Sequence, residues 1–105
     1  MLVSIVISAY NEEKYLPGLI DDLNNQTYPH HLIEIILINA MSTDKTKEIM
    51  ENFQKSNNDF YKIKVIDNPK KVQPSGFNLG VKNSEGDVVL KIDAHSKVTS
   101  DFVEK

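Results

Sequence analysis

The sequence contains no cysteine. That excludes disulfide staples and thiolate zinc sites, and it fits a reducing compartment such as the cytoplasm. An excess of positive charge is missing too. Twelve Lys and Arg stand against fifteen Asp and Glu, a formal net charge of −3. With no basic stripe along the chain, no nucleic-acid partner is expected. The apolar run over residues 2–9 is far too short to cross a bilayer and has no charged stretch ahead of it. No targeting segment is therefore read. Glycine is scarce where a phosphate loop would need it. The turn after the first apolar run, Tyr10-Asn11-Glu12-Glu13, is acidic and glycine-free, which argues against a triphosphate cradle and hence against a nucleotidyltransferase. No internal repeat or low-complexity segment breaks the chain. At 105 residues, 40% hydrophobic and 26% charged, it is read as one small domain over residues 1–105.

What is present is an alternation of apolar runs and amphipathic stretches. Leu2 to Ser8 and Ile33 to Ile38 are nearly continuous β-rich runs, the pattern of parallel strands covered on both faces. Leu16, Leu19, Ile20 and Leu23 recur at helical spacing, with Pro17 confining the regular helix to a start near Leu16. Ile49, Met50 and Phe53 mark a second helix, which Ser42 or Thr43 is placed to cap, with Asp44 in its first turn. Ile63, Val65 and Ile66 make a shorter strand, and residues 73–81 read as a loop passing into a short helix. Val88, Val89, Leu90 and Ile92 read as a last covered strand entered at Gly86. His30 and His31 are expected to be solvated loop residues. This β-α-β-α-β-α-β order predicts an α/β fold, a Rossmann-like parallel sheet of order 3-2-1-4 with helices on both faces. Ligands of such sheets bind beyond the carboxyl ends of the strands, at the topological switch. Three polar clusters fall there: Tyr10 to Glu12, Asn39 to Asp44, and Asp93 to His95.

Asp93 and His95 lie two residues apart at a strand exit, so both are expected to point to one side. A carboxylate beside an imidazole suits Mn²⁺ better than Ca²⁺, with Mg²⁺ open if the histidine is an outer partner. Thr99 to Glu104 reads as the capped start of a helix that Lys105 cuts short. The chain is accordingly expected to be the first part of a longer protein. Apolar surface left uncovered on such a part would favour self-association.

Taken in order, these blocks resemble the nucleotide-binding half of family 2 glycosyltransferases, inverting enzymes of the GT-A fold. The resemblance runs through residues 3–13, Gln26-Thr27-Tyr28-Pro29, Ile33-Glu34-Ile35, Ser42-Thr43-Asp44, Asn78-Leu79-Gly80, Gly86-Asp87 and Asp93-Ala94-His95. The Asp-Ala-His ending is similar to a branch that includes bacterial enzymes building exopolysaccharides such as succinoglycan. It implies transfer of a sugar from a nucleotide-diphosphate donor, UDP-linked by expectation, to a saccharide or lipid-linked acceptor hydroxyl with inversion. It further implies that Ala9, Tyr10 and Glu12 line the uracil and ribose pocket and that Asn39 contacts the base. Asp93 and His95 would stand where the family binds ribose and the metal–diphosphate unit; Lys70 and Lys71 read first as a solvated surface pair, with assistance at the diphosphate as the alternative. Three positions depart from the family pattern. Asn39 replaces a usual Asp, giving an uncharged acceptor for the uracil N–H; Ala40 and Met41 replace acidic residues or glycine; His95 replaces a second Asp. The family's catalytic base is a carboxylate of the second half, which no block here matches. Asp101 and Glu104 read as first-turn helix acids, so no base is named and the chain alone is expected to lack turnover. Many members carry membrane segments further along, which implies the cytoplasmic face of a membrane for the whole protein. The rival reading is a nucleotide-binding module without transferase activity.

Overall fold

In the computed structural model, residues 1–56, 59–69, 73–94, 97–100 and 102–103 are described, with the backbone alone over residues 73–76. Four strands form one sheet: β1 (Val3–Ala9), β2 (Ile33–Asn39), β3 (Lys62–Asp67) and β4 (Val88–Asp93). Their order is β3-β2-β1-β4 and every pairing is parallel, as the alternation of elements requires. Each crossover carries a helix: α1 (Leu16–Asn24), α2 (Thr46–Lys55) and α3 (Gln73–Lys82).

The two central strands account for the core. All seven residues of β1 and all seven of β2 are buried, which only a sheet covered on both sides permits. On one face Ile5, Ile7, Ile35 and Leu37 pack with Leu16, Leu19 and Leu23 of α1 and Met50 and Phe53 of α2. On the other, Val6, Ile36 and Ile38 pack with Phe77 of α3. Pro17 sits in the first turn of α1, where its missing N–H costs nothing. After β4 the chain returns to the end of α1. Thr27 N donates to the Ser100 carbonyl at 2.7 Å and Gln26 Nε2 to the Thr99 carbonyl at 2.7 Å, while Gln26 Oε1 accepts from Val103 N at 3.0 Å. The Gln-Thr-Tyr-Pro stretch thus anchors the returning segment.

Several expectations are corrected. β4 is not a covered strand. It lies at the sheet edge, where Val88 is exposed and Val89 and Leu90 are only partly buried, because β1 is the one strand paired with it among the described residues. α3 is no short helix; at ten residues it equals α2 in length. His30 is not simply solvated. It begins a 3-10 turn, stacks on Phe60 with ring centroids 4.5 Å apart, and its Nε2 lies 2.9 Å from the Gln26 carbonyl; His31 is exposed as expected. The helix expected from Thr99 is described only as a turn, Phe102 N to the Thr99 carbonyl at 3.1 Å; residues 101, 104 and 105 lie outside the described residues. No described helix is long and apolar enough to cross a membrane.

At the amino ends of the strands sits a buried charge. Glu34 is fully buried, and a carboxylate there must be fully partnered. Its Oε1 accepts from Ser4 Oγ at 2.7 Å and Glu85 N at 2.8 Å, and its Oε2 faces Lys64 Nζ at 3.0 Å. Lys62 and Lys64 also hold Glu85, with Tyr61 Oη donating to it, and together they depress its carboxyl to about 2. Gly86 completes the cluster by donating its N–H to Ser4 Oγ at 2.9 Å. A Cβ at residue 86 would fall 2.4 Å from that oxygen, so the close approach requires glycine.

Gly80 has the same significance further along the same face of the sheet, since Ser4 and Val6 are two residues apart on β1. A Cβ there would meet Val6 Cγ1 at 2.4 Å, inside any permitted contact, whereas one at Gly18 would meet nothing within 4 Å. Urea unfolding should therefore show Gly80→Ala destabilised by about 1–3 kcal/mol through overpacking. Gly18→Ala should be stabilised by about 0.5–1 kcal/mol through helix propensity. A neutral Gly80→Ala would mean that α3 does not press on β1.

Candidate functional site at the carboxyl edge of the sheet

The strand register sets the site. Ala9, Asn39 and Asp67 form one row across β1, β2 and β3, and Asp93 of β4 pairs with Ser8 one step behind it. The ladder continues one bond past the strands, Ala40 N to the Ala9 carbonyl at 2.9 Å and Asn68 N to the Asn39 carbonyl at 2.7 Å. The polar clusters at Tyr10, Asn39 and Asp93 are thereby brought to one edge. By the alternation of strands, Asn39 and Asp67 lie on the face of α1 and α2, and Asp93 on the face of α3.

Two loops at this edge are clasped together by side chains. Asn11 takes a left-handed backbone, φ 50°, which asparagine tolerates. Its N–H donates to Ser42 Oγ at 3.0 Å, and its Oδ1 accepts from Thr43 N at 2.8 Å. Next along, Glu12 N donates to Thr46 Oγ1 at 2.8 Å, and Thr46 Oγ1 in turn donates to Asp44 Oδ1. Asp44 Oδ1 also accepts Thr46 N at 2.9 Å, and Oδ2 accepts Glu13 N at 3.3 Å. The start of α2 is thus served by Asp44 rather than by Ser42 or Thr43, which are spent on Asn11. Burial presses the Asp44 carboxyl upward, but the bonds from Thr46 and Glu13 outweigh it and hold it below its ordinary value. The Glu12 carbonyl accepts from Tyr15 N at 3.1 Å and Leu16 N at 2.9 Å, opening α1.

The individual candidates are placed as follows. Ala9 is buried and its carbonyl serves the ladder. Tyr10 is half exposed over the edge. Glu12 is partly buried, its backbone locked in the clasp. Asn39 is 3% exposed; its Oδ1 accepts Ser42 N at 3.0 Å and its Nδ2 donates to Asp67 Oδ1 at 3.1 Å. Asp93 is exposed. His95, Lys70 and Lys71 lie outside the described residues. Among the described residues no three or more His, Asp or Glu stand close enough to hold a metal. A single exposed carboxylate at the edge nonetheless fits a hard divalent ion that brings nucleotide phosphates as its other ligands.

Sequence reasoning passed over Asp67 and Lys47. Asp67 Oδ2 accepts from Lys47 Nζ at 2.8 Å, and Lys47 and Asn39 together hold the Asp67 carboxyl below its ordinary value. The available signal was position: Asp67 opens the Asp-Asn-Pro that ends β3. An apolar cavity lies elsewhere. It holds about 680 Å³, is mostly apolar, and lies between β4 and the returning segment, lined by Val3, Tyr28, Val88, Leu90, Phe102 and Val103. It sits toward the amino ends of the strands and touches none of the site candidates.

Met41 also adopts a left-handed backbone, φ 57°, and is exposed. Unlike asparagine it gains nothing there, so Met41→Gly should stabilise the fold by about 1 kcal/mol in urea unfolding. Asn11→Gly keeps the backbone permissible but deletes the bonds to Thr43, and should destabilise it by about 1–2 kcal/mol. An Asn11→Gly variant that is neutral or stabilised, as Met41→Gly is expected to be, would contradict the clasp.

Comparison with known proteins agrees with this geometry. The family described as glycosyl transferase family 2 matches residues 4–105. A curated relative from Methanococcus voltae, dolichyl N-acetyl-alpha-D-glucosaminyl phosphate 3-beta-D-2,3-diacetamido-2,3-dideoxy-beta-D-glucuronosyltransferase, is 39% identical over 101 residues. That match covers 96% of this chain and 31% of the relative, so the chain spans about a third of that protein's length. Two structures of Staphylococcus aureus TarS residues 1–349 superpose on 99% of this chain at 26% identity. The complex with UDP gives a TM-score of 0.84 over 30% of its own chain, and that with UDP-GlcNAc 0.85 over 29%. The sheet of order 3-2-1-4 is the nucleotide-binding half of the GT-A fold.

Proposed function

The chain belongs to glycosyl transferase family 2, and on that premise we propose that it forms the donor side of an enzyme moving a sugar from a nucleotide diphosphate, UDP-linked, to an acceptor hydroxyl. The observation that carries this reading is the shared row of Ala9, Asn39 and Asp67 with Asp93 beside it, where four strand ends and two clasped loops meet. A nucleotide seated there is bound by a surface already set by Asn11, Asp44 and Thr46, so little ordering cost falls on binding. The UDP and UDP-GlcNAc complexes of TarS support the choice of nucleotide.

In this reading Ala9, Tyr10, Glu12 and Asn39 line the base and ribose pocket, with the half-exposed Tyr10 ring supplying an apolar face. Asp93, with His95, holds a divalent ion, Mn²⁺ or Mg²⁺. When bound, that ion offsets negative charge developing on the departing diphosphate. Displacement with inversion at the anomeric carbon also needs a base beside the acceptor hydroxyl, and we assign that role to no residue of this chain. The acceptor is a saccharide or a lipid-linked saccharide; the dolichyl N-acetyl-alpha-D-glucosaminyl phosphate in the name of the Methanococcus voltae relative supports the second.

Calorimetric titration with UDP, with and without Mn²⁺, tests the site. The chain should bind UDP more tightly with the metal. Asp93→Ala and His95→Ala should each weaken the metal-dependent binding by about tenfold, equivalent to ~1.4 kcal/mol. Binding that ignores both the metal and Asp93 would remove the assigned metal site. Absence of UDP binding would overturn the proposed function.

A further inference from the structure

At the edge of the sheet the residue expected to read the base has its amide committed to the protein. Asn39 is 3% exposed. Its Oδ1 takes the N–H of Ser42, which closes the turn through Met41, and its Nδ2 is given to Asp67. One strand further out, in the same register row and on the same face, Asp67 presents a carboxylate whose side chain is 42% exposed. Its two oxygens are each held by one donor, Oδ1 by Asn39 Nδ2 at 3.1 Å and Oδ2 by Lys47 Nζ at 2.8 Å. A carboxylate oxygen has two lone pairs, so each retains one for a ligand.

We propose that Asp67 is the hydrogen-bond acceptor that reads the nucleobase in this chain, with Asn39 and Lys47 as the positioning residues that aim it. The inference rests on the nucleotide site proposed above and names the base that site selects. Asp67 stands two strands from Ala9, roughly 10 Å at ordinary strand spacing. A flat heterocycle seated over the end of β2, on Asn39, would lie between Ala9 and Asp67 in that row. An ionised carboxylate accepts and never donates. It therefore matches uracil, whose ring nitrogen between the two carbonyls carries a hydrogen. It opposes cytosine, whose corresponding ring nitrogen is itself an acceptor. The ammonium of Lys47 keeps the Asp67 carboxylate charged. A solvent-exposed ion pair by itself contributes little to stability; the buried amide committed to this carboxylate points to a role beyond the pair.

The test is the ratio of affinities for UDP and CDP, measured by titration of the chain and of two variants in the presence of Mn²⁺. The unmodified chain should prefer UDP at least tenfold. Asp67→Asn, which puts a donor beside the base, should lower UDP affinity and bring the UDP-to-CDP ratio down at least tenfold. Lys47→Met, which leaves the carboxylate in place, should weaken UDP binding while keeping the preference. A melting temperature for each variant confirms that it is folded. UDP binding with no preference over CDP overturns the inference alone, as does an unchanged ratio in Asp67→Asn, even if both affinities fall together. A chain that binds neither nucleotide overturns the proposed function and this inference with it.

Discussion

A parallel sheet holds only when both of its faces are covered, and that constraint falls hardest on β1. It is paired on both sides, and every residue in it is buried. Its alternate residues feed two cores, Ile5 and Ile7 toward α1 and α2, Val6 toward α3. Helices are forced onto both faces, and the crossovers must be right-handed. From this one strand follow the sheet order and the switch point beside it. The fit is tight enough that α3 meets Val6 through a glycine. The buried Glu34 marks the cost of covering the amino end, where Ser4, Glu85 and Lys64 all serve a single carboxylate.

The carboxyl edge inherits its shape from the same pairing. Because the register aligns Ala9, Asn39 and Asp67, the loops that leave β1 and β2 start side by side. Asn11, Ser42, Thr43, Asp44 and Thr46 then join them. Residues that look in the sequence like ligand contacts work first as a brace between two loops. A braced edge is suited to a nucleotide, since donors and acceptors are fixed before the ligand arrives. The cavity beside β4 is lined mainly by aliphatic and aromatic side chains and belongs to the opposite end of the strands.

The parts of the fold legible in the sequence were those set by local pattern. The unbroken apolar runs of β1 and β2 announce double-sided burial, and Pro17 places the start of α1. What the sequence concealed depends on neighbours distant along the chain. β4 has the composition of a covered strand, yet coverage is decided by what lies on its outer edge, which no local pattern encodes. His30 finds Phe60 thirty residues away. Asn39 appears free to read a base until Ser42 and Asp67 claim its amide. Asp67 looked like a strand terminator because Lys47, its partner, sits on a helix whose orientation only the fold reveals.

The central claim is that the braced edge between β1, β2 and β3, and not the apolar cavity beside β4, receives a nucleotide. Amide chemical-shift mapping of the ¹⁵N-labelled chain titrated with UDP and Mn²⁺ tests it most directly. The account predicts shifts concentrated at the amides of Asn11, Ser42, Thr43 and Asn68. Shifts centred on Val88, Leu90 and Phe102, or none anywhere, would contradict it.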